Sequence, residues 1–127
     1  MNTLTNDPIE TQVADAVAKY HLDQQGRAPK SLRAHLVADM VIIHSQGIYT
    51  PTEESLADTE EGRKLIKSAR RELRSITRRD IEAKIGSIVG CEVLRSFWDL
   101  DIRSGEQVEV YMLSRSPEFP ASSVTVV

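Results

Sequence analysis

At 127 residues and a formal net charge of −3, the chain has room for one domain with a self-sufficient core and no general electrostatic claim on nucleic acid. No apolar run approaches the ~20 residues that a membrane-spanning helix needs, and the N-terminal MNTLTNDP has neither the basic nor the apolar region of a signal peptide. A single cysteine, Cys91, excludes an internal disulfide framework and suits a reducing cytoplasm. The expectation is one soluble α+β domain over 1–115 with a flexible tail over 116–127.

Asp7-Pro8-Ile9-Glu10 reads as a helix start, with Asp at the cap, Pro at the first helical position and Glu at the third. Ile9, Val13, Ala16, Val17 and Tyr20 follow at helical spacing, and Gly26 and Pro29 end the helix. Residues 31–46 pattern as a hairpin turning at Ala38-Asp39. That register pairs 37 with 40, 36 with 41, 34 with 43 and 32 with 45, placing Leu32, Ala34, Leu36, Val41 and Ile43 on one apolar face.

Thr50-Pro51-Thr52-Glu53 repeats the helix-start signature for a short helix to about Ala57. Asp58-Thr59-Glu60-Glu61 opens a long central helix toward Val89, stopped by Gly90. Along it Leu65, Ile66, Ala69, Leu73 and Ile76 share one side, while Ile81, Ile85 and Ile88 lie about 140° away at 100° per residue. The pattern predicts a break near Thr77–Asp80 or two halves buried against different bodies, and the second option implies a homodimer. A last hairpin turns at Arg103-Ser104-Gly105, pairing Leu100 with Val108, Trp98 with Val110 and Ser96 with Met112; Phe97 then faces Tyr111, and Asp99 faces Glu109. The order predicts two αββ-like halves: a four-stranded sheet of two hairpins, helices packed on one face, and one long central helix.

Charge is unevenly placed. Residues 63–79 carry Arg63, Lys64, Lys67, Arg70, Arg71, Arg74, Arg78 and Arg79 against Glu72 alone, which makes that segment +7 and leaves the remainder at −10. Arg63, Lys67, Arg70, Arg71, Arg74 and Arg78 form a stripe down one helical side. Like charges at i,i+4 repel, so the stripe calls for an acidic counterpart or another anion. Ile81, Ile85, Ile88, Phe97 and Tyr111 are the expected dimer contacts.

Catalytic signals are thin. His35 and His44 lie diagonally across the first hairpin, but no further ligand pairs with them at metal spacing. Asp99 and Glu109 alternate outward as a solvated acidic pair rather than two carboxylates in contrasting environments. Cys91 has the setting of a buried small thiol. There is no Gly-rich phosphate loop, Ser elbow, CxxC or HExxH motif. The residues predict no enzyme, no cofactor and no metal, and the shortage of exposed aromatics disfavours nucleic acid against a protein partner.

Gly26-Arg27-Ala28-Pro29-Lys30, Asp39-Met40-Val41-Ile42, Gly47-Ile48-Tyr49-Thr50-Pro51 with Glu53, Glu54 and Leu56, then Glu61-Gly62-Arg63 and Arg71-Glu72-Leu73, resemble one small bacterial family. Gly90-Cys91 and the hairpin with Asp99, Asp101 and Gly105 are similar as well. This is the MpsC-like family, named for the C component of a sodium-translocating, membrane-potential-generating system, and the resemblance spans roughly 8–113. Ala38 stands where a Gly is expected in the first turn. The resemblance implies a non-catalytic accessory or regulatory module for cation or inorganic-carbon transport, peripheral at the membrane, with the ion path in other subunits. The alternative is a nucleic-acid or anion-binding module that uses the basic helix face.

Overall fold

The computed structural model describes residues 8–117; Asp7 and all but the first two residues of the expected tail lie outside them. The elements in chain order are α1 (Ile9–Gln25), β1 (Ser31–Val37), β2 (Met40–Gln46), α2 (Pro51–Leu56), α3 (Glu60–Val89), β3 (Val93–Asp101) and β4 (Glu106–Leu113). The two hairpins join edge to edge into one antiparallel sheet of order β1-β2-β4-β3. The α+β class, the four-stranded sheet and the single long helix are as the sequence predicts.

Local signals act where they are written. Gly26 closes α1 in the left-handed region at φ 75, its N–H donating to the Leu22 carbonyl. Thr50 and Glu53 make a reciprocal capping box at α2, and the Thr59 hydroxyl accepts from Gly62 N–H at the start of α3. The β1–β2 register agrees residue for residue with the predicted one. Its two-residue turn needs a positive φ, which Ala38 adopts at 54°.

The second hairpin departs by one residue. Asp101 pairs with Glu106 across a four-residue loop, so Trp98 faces Glu109, Phe97 faces Val110 and Ser96 faces Tyr111. A one-residue slip exchanges the two faces of a strand. Gln107, Glu109 and Tyr111 therefore point inward, and Val108, Val110 and Met112 outward. The apolar alternation of β4 suggested the opposite. The inward polar side chains are tolerated because Arg74 of α3 bonds Glu109 and Tyr111 while Trp98 and His21 meet Gln107, and Tyr49 anchors the loop by donating from its hydroxyl to the Ile102 carbonyl at 2.5 Å.

Helices α1 and α3 cover one face of the sheet. Val13 and Val17 of α1 and Ile81, Ile85 and Val89 of α3 close over Ala34, Val41, Ile43 and Tyr111. A smaller cluster joins Ile66 of α3 to Ile48, Tyr49 and Leu100. Helix α3 runs unbroken for 30 residues, about 45 Å at 1.5 Å per residue. Its buried side is one stripe, Ile66, Arg70, Arg74, Thr77, Ile81, Ile85 and Val89, with two arginines and a threonine in the middle. Counting apolar residues alone hid that continuity. The second body expected against the helix is the chain's own α1 and sheet.

Candidate functional site

Where α1 ends, α3 passes and β4 crosses beneath, a crevice encloses about 460 Å³, part of it open solvent. Glu109 lies at its floor, 1% exposed. One carboxylate oxygen accepts from Arg74 Nη1 at 3.0 Å and from the Tyr111 hydroxyl; the other accepts from Gln107 Nε2 at 3.3 Å and lies 3.5 Å from His21 Nε2. Arg74 also donates to Tyr111 Oη at 2.9 Å and to Ser96 Oγ at 2.8 Å, with its guanidinium 5.2 Å from the Tyr111 ring centre. The Ser96 hydroxyl in turn donates a hydrogen bond to Glu82, and Trp98 Nε1 donates to Gln107 Oε1 at 2.8 Å.

The electrostatics follow from that geometry. Burial alone would push the Glu109 carboxyl up, yet hydrogen bonding and charge from His21, with Arg74 and Tyr111, hold it below the usual carboxylate range. Burial first, and then the neighbouring Glu109 charge, push the Tyr111 phenol well above its ordinary value. Each oxygen of the carboxylate already accepts from the chain's own donors, so the cluster works as a polar keystone between helix and sheet.

The basic stripe divides along the same lines. Arg70 is buried and grips Glu53 with Nε at 2.8 Å and Nη2 at 2.6 Å, while Nη2 also donates to the Ile48 carbonyl at 3.0 Å. Lys67 pairs with Asp99 at 3.2 Å, Arg63 donates to the Ala57 carbonyl at 2.9 Å, and Arg78 lies 3.9 Å from Glu82. Arg71, with Lys64 and Arg79 beside the stripe, stays exposed. The expected counterpart for these charges is therefore inside the chain: the acidic remainder of the sequence folds back on the helix.

The other predicted positions separate in the same way. Ile81, Ile85 and Tyr111 are core residues at 3%, 0% and 0% exposure, and Ile88 packs partly buried against them. The chain's own α1 and sheet occupy Ile81, Ile85 and Tyr111, which leaves these three no surface for a dimer contact. Phe97 alone of the five is open, at 56%. Asp99 is exposed and Glu109 is not, which dissolves the proposed acidic pair. His35 and His44 do share the outer sheet face; His44 pairs with the Glu106 carboxylate. Among the described residues no cluster of three or more His, Cys, Asp or Glu is placed to hold a metal ion. Cys91 is buried.

Sequence reasoning missed the surface that the slipped register creates. With both long helices on one side, the opposite sheet face carries Ile42, Val110 and Phe97 in its central row and Met40 and Met112 in the next. Val37 and Val108 complete it at 48% and 38% exposure. The outward valines of β4 were the available signal, hidden by the assumption that apolar alternation marks the core face.

The residues behind the family resemblance also have a place. Ile48 and Tyr49 form the smaller cluster, Thr50 and Glu53 cap α2, Glu53 holds Arg70, and Gly62 and Arg63 seat α3 against the end of α2. A Cβ on Gly62 would lie 1.8 Å from the Leu56 carbonyl oxygen. These positions build one corner of the fold.

A family model described as "Na+-translocating membrane potential-generating system (MpsC)" matches residues 5–115. The chain is 31% identical over 110 residues to a Bacillus subtilis (strain 168) protein, YbcI, described as uncharacterized, covering 87% of this chain and 89% of that one. No solved structure matches it. No helix among the described residues is long and apolar enough to cross a membrane.

Proposed function

Since the chain belongs to the MpsC family, we propose that it is a non-catalytic assembly module of a membrane ion-translocating system, held at the membrane by other subunits. The observation that carries this reading is the sheet face that no helix covers among the described residues, with Phe97 56% and Val37 48% exposed beside Ile42, Val110 and Met112. Contiguous apolar surface on a folded domain marks an interaction site. The crevice supports the same reading from the other side, because its charged groups are engaged with one another.

The basic helix favours an anion-binding role less. Arg70 and Arg74, at the centre of the stripe, are committed to Glu53 and Glu109, and pulling either away would leave a buried carboxylate unpaired.

Deleting the gene for this chain from its host should lower the sodium-dependent membrane potential, read with a potential-sensitive dye. Re-expression of the wild-type chain should restore it. A Phe97→Asp variant that accumulates to the same level should not. An unchanged potential in the deletion strain would contradict the reading.

A further inference from the structure

The open sheet face is self-complementary, and we propose that its occupant is a second copy of this chain, related by a two-fold axis parallel to the strands. The inference rests on reading that face as a docking surface and names what docks there.

The register lays the face out in rows across β1, β2, β4 and β3. One row reads Val37, Met40, Met112, Arg95; the next His35, Ile42, Val110, Phe97; the next Arg33, His44, Val108, Asp99. Within these rows the middle two strands are apolar apart from His44, which pairs with Glu106 beyond the last row, and the two edges differ in charge toward the loop, Arg95 standing at the far end of β3. Arg33 and His35 stand on the β1 edge, Asp99 and Asp101 on the β3 edge toward the loop. A two-fold axis along the strands lays β1 of one copy over β3 of the other, and β2 over β4. Ile42 then covers Val110, Met40 covers Met112, and Arg33 of each copy meets Asp99 of its partner, twice per dimer. An axis across the strands would instead lay β1 on β1 and β3 on β3 with the rows reversed, setting Arg33 against Val37 and Asp99 against Arg95, an arrangement in which Arg33 and Asp99 never meet.

Asp99 is free enough to take part. It meets Lys67 through one oxygen at 3.2 Å, and its side chain is 79% exposed. Aligned sheets pack about 10 Å apart with a rotation of roughly 30°, a gap that an arginine and an aspartate bridge from opposite sides. The size also fits. Strands of about eight residues at ~3.3 Å rise and ~4.8 Å spacing give a face of roughly 500 Å² before the rim is counted, approaching the ~800 Å² per partner of a stable interface. Isologous contact of this kind is the commonest form of homo-oligomer.

The test is sedimentation velocity of the purified chain from 1 to 100 µM. A species of twice 14.2 kDa is expected. Val110→Asp and Phe97→Ser, each checked for wild-type circular dichroism, should raise the dissociation constant at least tenfold; Phe97 is exposed, so its variant folds even if the first does not. Arg33→Asp alone and Asp99→Arg alone should each weaken the dimer, and the double variant should recover most of the loss. A monomer at 100 µM overturns the proposal, as does a dimer indifferent to both face variants. A double variant no tighter than either single one overturns the two-fold arrangement. Because no membrane or transporter is present, a monomer here contradicts this inference while the potential measurement above judges the transport role separately.

Discussion

Glu109 is the residue on which the sequence reading and the structure differ most. On the sequence it sits in an alternating strand beside Asp99 and Asp101 and reads as a solvated acid. In the fold it is buried, ionised and held by Arg74, Tyr111, Gln107 and His21. Its pKa lies below its unfolded value of ~4.3, so the ionised group contributes stability that is complete above about pH 5 and is lost as pH falls through the depressed folded value. Glu109→Gln should flatten the acid limb of stability against pH in urea titrations between pH 3 and 5. At pH 7 it should cost roughly 3–5 kcal/mol, because Arg74 is left buried without its counter-charge. An unaltered acid limb would show that other carboxylates govern it. Two smaller positions test the backbone. Ala38 is held at φ 54, and Ala38→Gly should stabilise the chain by about 1 kcal/mol in the same titrations. Gly62→Ala should destabilise it by about 1–3 kcal/mol, since the new methyl meets a backbone carbonyl that cannot swing away.

Among the elements, the first hairpin and the starts of α2 and α3 were legible because each is specified locally, by caps and a period-two pattern that both strands share; α1 begins at Ile9 behind Pro8 with no side-chain cap. The second hairpin was not, because its apolar residues face out and its polar residues face in. Only knowledge of Arg74 on a distant helix reverses that reading. Helix α3 poses the same problem from its own side: its buried stripe is continuous once Arg70 and Arg74 are counted as interior residues. Glu53 ties the pieces together, since it caps α2 and grips Arg70 at once. Glu53→Ala should therefore lower stability by more than the ~1 kcal/mol that a lost cap alone costs. Approaching 3 kcal/mol in a thermal melt would identify the buried ion pair as the larger part, and a loss near 1 would assign the residue to capping only.

For the whole molecule, the −10 and +7 portions of the sequence meet across the crevice and along α3, where Lys67, Arg70, Arg74 and Arg78 find carboxylates within the fold. What remains unanswered is apolar: among the described residues the sheet has helices on one face and none on the other. Some residues carrying the resemblance build the corner of α2 and α3, while Met40, Ile42 and Asp99 lie on the outer sheet face itself. The central claim is that this chain meets its partner through the bare sheet face and not through the long basic helix. Hydroxyl-radical footprinting of the purified protein, at concentrations on either side of the dimer midpoint, compares the two surfaces in one experiment. The account predicts that Met40, Phe97 and Met112 become protected as concentration rises while Leu65 and Ile76 on α3 label equally throughout. Protection confined to Leu65 and Ile76, with the sheet face labelled alike at both concentrations, would contradict it.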